Sequence, residues 1–176
     1  RVVESDNPAI PVGTLVFATP GWQEYAIVTE RDQVVPDGVD PTAALSIFGI
    51  TGITAYFGLL DIGRPTAGET VVVSGAAGST GSIAGQIAKI KGCRVVGIAG
   101  SDEKCSWLTN ELGFDAAINY RSENVAAKLR ETCPDGTDVY FDNVGGDILE
   151  AAIGHLALRG RVVMCGAISR YNDSAP

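Results

Sequence analysis

From residue 71 onward the apolar positions alternate between two textures. Short unbroken apolar runs stand at 71–74 (VVVS), 94–99 (RVVGIA), 116–120 (AAINY), 137–142 (TDVYFD) and 161–166 (RVVMCG). Between them lie longer stretches, 79–91, 102–112, 123–132 and 148–158, in which apolar residues return every three or four positions. In the first of these Ile83, Ile87 and Ile90 stand at i, i+4 and i+7, one stripe of a helix. The pattern predicts five strands alternating with helices. Strands that are apolar throughout are buried on both faces, so the expectation is a parallel sheet with helices on both sides.

Two shorter helices are expected before the first of these strands, over 42–48 and 51–60, the second stopped by Gly63 and Pro65. Upstream of Pro41 the texture changes to Pro, Gly, Val and Thr. Residues 14–17, 22–29 and 33–35 read as short antiparallel strands, with Pro20-Gly21 turning between the first two. About 40 residues of such material cannot enclose a core alone. No internal repeat or low-complexity tract interrupts either region.

Composition narrows the class. Of the 176 residues, 45% are hydrophobic and 19% charged, which fits a packed core and not a disordered chain. The formal net charge of -8 excludes a broad nucleic-acid footprint, which needs clustered Lys and Arg. It leaves room for one small phosphorylated ligand in a locally cationic pocket. No apolar run reaches about 18 residues, so no membrane-spanning helix is expected, and no secretory leader is visible. Cys93, Cys105, Cys133 and Cys165 form no C-x-x-C pair. They read as free thiols in a reducing compartment, and a cytoplasmic location is expected. His155, the single histidine, falls in a predicted helix and reads as structural or exposed; no metal site is expected.

Candidate chemistry begins in VVVSGAAGSTGSIAGQIAK at 71–89. Against G-x-G-x-x-G the register is Ala76, Gly78, Gly81, with an additional glycine at Gly75. Gly78 allows a pyrophosphate to approach the backbone, and Gly81 allows the helix to lie close to the strand. The helix start then aims N–H groups and positive dipole at the phosphates. The strand before the turn and the amphipathic helix after it supply the context such a motif needs. At the end of the second strand, where a carboxylate would hold a ribose 2′-OH, the chain reads Ala99-Gly100-Ser101. Gly100 makes room for a 2′-phosphate and Lys104 can supply the opposing charge, although a solvated helix lysine reads the same way. The combination favours NADPH over NADH.

Six stretches together carry a family resemblance: GITGITAY at 49–56, SGAAGSTGSIAGQIAK at 74–89, CRVVGIAGSDEK at 93–104, LGFDAAINY at 112–120, DVYFDNVGG at 138–146 and CGAISRYN at 165–172. On these the chain resembles the zinc-independent branch of the medium-chain dehydrogenase/reductase superfamily, closest to the prostaglandin reductases. The resemblance implies a doubly wound Rossmann-like sheet at 42–176, ending before its sixth strand. Residues 1–41 would be the last part of a GroES-like β-barrel.

It also implies roles. Ser79 and Thr80 would face the pyrophosphate with Gly78. Lys104 and Tyr120 would contact the adenosine ribose phosphate. Asn143 would touch the cofactor at the end of the fourth strand. Cys165, Gly166 and Ala167 would line the nicotinamide side, and Tyr171 would sit by the nicotinamide ribose and the reacting carbonyl. Plain alternatives stand beside these: a loop-capping amide for Asn143, a half-buried strand aromatic for Tyr120, a loop tyrosine for Tyr171, a small buried hydrophobe for Cys165. Tyr56 reads as core, and Asp142 as a residue that orients a neighbouring loop.

The function implied is NADPH-dependent reduction of the C=C bond of α,β-unsaturated ketones such as 15-oxoprostaglandins, by hydride transfer to the β-carbon. Tyr171 would stabilise the enolate. An NADPH:quinone reductase and a non-catalytic NADPH-binding protein of the same fold are the alternatives. Two copies would pair in the full-length protein, and this part alone would hold cofactor better than it performs chemistry.

Overall fold

The computed structural model describes residues 1–29 and 32–172. The chain separates into two compact units, Arg1–Ile50 and Thr51–Pro176. In the first, β1 (Val16–Phe17) pairs antiparallel with β2 (Gln33–Val34). The helix α1 (Pro41–Leu45) starts at Asp40, whose carboxylate accepts from the Thr42 N–H and hydroxyl, both at 2.7 Å. The strand expected at 22–29 does not form: its described residues lie outside any ladder, and Trp22, Tyr25 and Ile27 are exposed.

The second unit has the expected alternation. After α2 (Ile50–Phe57) a π-helical turn runs over Gly58–Gly63 and stops at Arg64, which is left-handed at φ 46°. Then come β3 (Thr70–Ser74), α3 (Ser79–Ile90), β4 (Arg94–Ala99), α4 (Asp102–Asn110), β5 (Ala116–Asn119), α5 (Val125–Thr132), β6 (Thr137–Asp142), α6 (Gly146–Ile153) and β7 (Leu156–Met164). A 3₁₀ turn at Ile168–Arg170 follows. The five strands are parallel in the order β5-β4-β3-β6-β7. The chain therefore winds outward from β3 to β5, returns, and winds outward again on the other side. The point of reversal lies between β3 and β6, which is where open α/β sheets leave a crevice for ligands.

Two cores cover the two sheet faces, as a strand's alternation requires. Val71, Val73, Val95, Val139 and Phe141 pack with Ala84 and Ala88 of α3 and Leu108 of α4. Val72, Val96, Ile98, Ile118 and Tyr140 pack with Leu129 of α5 and Ala152 of α6. The buried face of α3 is not the isoleucine stripe. Gly81, Ala84, Gly85 and Ala88 are buried, Ile83 and Ile87 flank them, and Ile90 is 84% exposed. Small residues win because the helix lies very close to the sheet and the ring of Phe114 occupies the space beside Gly85.

A second correction falls at the last crossover. The helix predicted over 148–158 ends at Ile153, and the strand predicted from 161 begins at Leu156. The helix stops because Leu156 pairs with Thr137 and the chain enters the sheet. His155 is thus a loop residue, not a helical one. Its Nε2 lies 2.8 Å from the Cys133 carbonyl, and its own carbonyl accepts the Thr137 N–H. At the amino end of the sheet Arg161 grips the Glu69 carboxylate through both terminal nitrogens, at 3.0 and 2.5 Å. Lys89 reaches Asp115 at 2.8 Å, and Asp115 also accepts the Val95 N–H at 2.6 Å.

Candidate functional site

Every sequence-predicted site residue lies at the carboxyl ends of the five parallel strands. Gly75, Ala76 and Gly78 form the turn after β3, and Ser79, Thr80 and Gly81 open α3. Gly75 is left-handed at φ 57°, which suits glycine. Gly78 is the residue before α3 and offers no capping side chain, so the first-turn N–H groups are left for a ligand. A β-carbon on Gly81 would stand 2.5 Å from the Gly75 carbonyl oxygen and 2.9 Å from the Ala76 Cα. Both obstacles are backbone, so only glycine allows the helix to start this close to the turn. The neighbouring helix α4 differs: Ser101 caps it, accepting from the Lys104 N–H at 3.3 Å.

Gly100 follows β4, Lys104 stands in the first turn of α4, and Tyr120 follows β5. The room that Gly100 leaves is filled by Tyr120: a β-carbon at Gly100 would meet the phenol oxygen at 2.8 Å and the ring at 3.0 Å. Tyr120 is half exposed, and its N–H donates to Ala99 O at 3.1 Å. The guanidinium of Arg121 lies 6.0 Å from the Tyr120 ring centroid, within cation–π range. This second cation was passed over in the sequence; its position directly after Tyr120 was the available signal.

Asn119 was also missed. It is nearly buried, and its amide donates to Asp102 Oδ1 at 2.7 Å while its carbonyl accepts the Arg121 N–H at 3.1 Å. The acid nearest Gly100 is thereby held by an amide. Burial, followed by the Glu123 and Asp102 carboxylates, raises the Cys105 thiol above its ordinary range.

Across the reversal point, Ser74 and Asn143 join the ends of β3 and β6. Asn143 donates its side-chain amide to Ser74 O at 2.7 Å and its N–H to Ser74 Oγ at 2.9 Å. Cys165, Gly166 and Ala167 follow β7. The N–H groups of Cys165 and Gly166 both donate to Asp142 O, at 2.8 and 3.0 Å. Tyr171 folds back on this loop, its hydroxyl accepting the Ala167 N–H at 3.2 Å. Ser169 ties the same loop to the next through Val144 O, at 3.0 Å from its N–H and 2.6 Å from its hydroxyl. The Cys165 thiol is raised by burial and then by Asp142. Tyr56, read as core, is half exposed on α2 and packs edge-on against Phe57 at 5.3 Å.

The model of a family described as zinc-binding dehydrogenase matches residues 79–175, more than half of the chain. The chain belongs to this family. Among the proteins it is similar to is prostaglandin reductase 1 of Bos taurus, 50% identical over all of the chain and 55% of that protein. The NADP-dependent 2-alkenal reductase of Nicotiana tabacum is 43% identical over 98% of the chain and 51% of its own length. The crystal structure of CurA from Vibrio vulnificus in complex with NADPH superposes with a TM-score of 0.88 at 44% identity, over 94% of the chain and 50% of CurA. The chain thus spans about half the length of the curated relatives it matches.

The family description invokes zinc, but the donor set here does not fit it. Among the described residues no three of His, Cys, Asp and Glu converge on one point, and the His155 Nε2 is engaged by the Cys133 carbonyl. No helix among the described residues is long and apolar enough to cross a membrane.

Proposed function

We propose that the protein carrying this chain reduces carbon–carbon double bonds conjugated to a carbonyl, with NADPH as donor, and that this chain is its cofactor-binding part. The observation that supports it most directly is the shared edge. The uncapped glycine turn, Gly100 with Tyr120 against it, Lys104 in the first turn of α4, Asn143 and the 165–171 loop all stand at the carboxyl ends of one sheet, on a fold that superposes on CurA with NADPH.

The residues divide the work by position. Ser79, Thr80 and Gly81 bind the pyrophosphate through backbone N–H groups and the positive end of α3, while Gly78, whose own N–H donates to Gly75 O at 2.9 Å, leaves room for its approach. Lys104 and Tyr120 hold the 2′-phosphate, and the absence of a free carboxylate at Gly100 removes the repulsion that would favour NADH. Bound there, NADPH supplies a hydride. Asn143 and the backbone of Cys165, Gly166 and Ala167 orient the nicotinamide end. Reduction of an enone places negative charge on the carbonyl oxygen. Tyr171, whose oxygen receives the Ala167 N–H, retains its own proton to donate there.

The test is spectroscopic NADPH consumption by the whole protein against a panel of enones, alkenals, quinones and saturated ketones. Turnover with enones and alkenals, with saturated ketones inert, is expected. Turnover confined to quinones, or tight NADPH binding with no turnover on the panel, overturns the assignment.

A further inference from the structure

Asp142 is a carboxylate with no exposed surface, and it stands at the point where the sheet reverses direction. Its Oδ1 accepts from Ser74 Oγ at 2.8 Å, Tyr140 OH at 2.9 Å, the Val144 N–H at 3.1 Å and the Gly145 N–H at 3.0 Å. Its Oδ2 accepts from the same Gly145 N–H at 3.0 Å. Its backbone carbonyl accepts from Cys165 and Gly166. One residue is therefore bonded to the end of β3, to its own loop after β6 and to the loop after β7. A buried carboxylate is expensive unless its lone pairs are filled, and here the donors are Ser74 at the end of β3, Tyr140 of β6 and the Val144 and Gly145 N–H groups of the loop that carries Asn143.

The Ser74 hydroxyl transmits the constraint, since it donates to Asp142 and accepts the Asn143 N–H. Gly145 and Gly146 are left-handed at φ 72° and 58°, so the loop turns sharply to present its N–H groups to the carboxylate. Burial, with the Asp142 charge adding to it, pushes the Tyr140 phenol well above its ordinary range, so that it remains a donor to this oxygen.

We propose that Asp142 is a positioning residue for the nicotinamide half of the cofactor. Its carboxylate acts through Ser74 and the Val144 and Gly145 N–H groups to fix Asn143 and the Val144 carbonyl that holds Ser169, its backbone carbonyl holds Cys165 and Gly166, and it touches no ligand itself. The proposal rests on the NADPH reading above. Its distinguishing consequence is locality: the niche of Gly100, Lys104 and Tyr120 lies at β4 and β5 and has no bond to Asp142 among those described.

The test measures calorimetric affinity of the whole protein for NADPH and for adenosine 2′,5′-bisphosphate, which carries only the adenosine half. Asp142→Asn and Ser74→Ala are compared with wild type at a temperature where circular dichroism shows each folded. Either variant should weaken NADPH roughly tenfold, the scale of one lost hydrogen bond, and leave the bisphosphate within about twofold. Should Asp142→Asn fail to fold, Ser74→Ala carries the test. Leu129→Ala, which opens a cavity beneath α5 on the far core, should lower the melting temperature and change neither affinity. Equal weakening of both ligands, or no change in either, overturns the proposal. Wild-type protein that binds neither ligand overturns the NADPH reading instead.

Discussion

Replacing Gly81 by alanine tests the closeness of helix and turn on which the pyrophosphate site depends. The added β-carbon would lie 2.5 Å from Gly75 O, 2.9 Å from Ala76 Cα and 3.0 Å from Gly75 C. Carbon–oxygen contacts below about 3.2 Å are repulsive, so the start of α3 must withdraw from the turn by roughly 0.7 Å, as in other overpacked cores. Such overpacking costs about 1–3 kcal/mol. Alanine returns about 0.5–1 kcal/mol through its better helix propensity. The net destabilisation is then between about zero and 2.5 kcal/mol, a fall of up to roughly 10 °C in melting temperature for a domain of this size.

The loss of affinity should be larger than that range suggests. The N–H groups of Ser79, Thr80 and Gly81 move with the helix while the turn stays anchored by the Ala76 N–H to Ile98 O. Losing one charge-assisted bond costs about 1.5–3 kcal/mol, or roughly 10- to 150-fold in the dissociation constant for NADPH. Urea unfolding with parallel calorimetric titration separates the two effects. Gly154→Ala is the control. Gly154 follows α6 at φ −65°, and its β-carbon would meet nothing closer than Glu150 O at 3.5 Å, so stability and affinity should hold. Native NADPH affinity in Gly81→Ala would refute the reasoning, because the pyrophosphate would then not depend on this close approach.

Other expectations follow the same site and fold. Lys104→Ala should weaken NADPH about tenfold or more and NADH little, measured by titration; equal losses would remove the phosphate assignment. Tyr171→Phe should lower kcat of the whole protein about 100-fold while NADPH affinity changes little, and an unchanged kcat would discard the tyrosine as enolate donor. Burial raises the Glu69 carboxyl, but the Arg161 guanidinium and the Thr66 N–H outweigh it and hold the group below its usual range. Asp115 is likewise lowered against burial by Lys89 and the Val95 N–H. Depressed carboxylates contribute stability in full above their unfolded pKa and lose it as the pH falls through the folded value. The urea midpoint should therefore drop on acidification below the ordinary carboxylate range, with a shallower drop in Glu69→Gln; an unaltered pH slope in that variant would dismiss the ion pair as a source.

Much of this architecture was legible in the sequence because its determinants are local. Unbroken valine runs mark strands buried on both sides, and glycine at 75 and 81 meets a backbone requirement that other residues cannot. The site was legible as a set of strand ends, since the carboxyl edge follows from the alternation itself. What escaped depends on partners far away in the chain. The burial of Ala84 and Ala88 in place of Ile90 follows from the closeness of Phe114 and the sheet. The end of α6 was set by a ladder from Leu156 to Thr137, which outweighed the apolar spacing of 156 and 158. Asp142 meets Ser74 across 68 positions, and Asn119 meets Asp102 across 17. No window on the sequence relates those residues; only the crossovers do.

The last strand has a practical bearing on how the polypeptide behaves in a tube. Among the described residues β7 bonds only to β6, so one side of a nine-residue strand offers free backbone donors and acceptors, with Leu158 and Met164 projecting into water nearby. Prepared by itself, this polypeptide is expected to self-associate as its concentration rises, through sticky β-pairing along that margin. A lysine in place of Leu158 would be the first remedy to try.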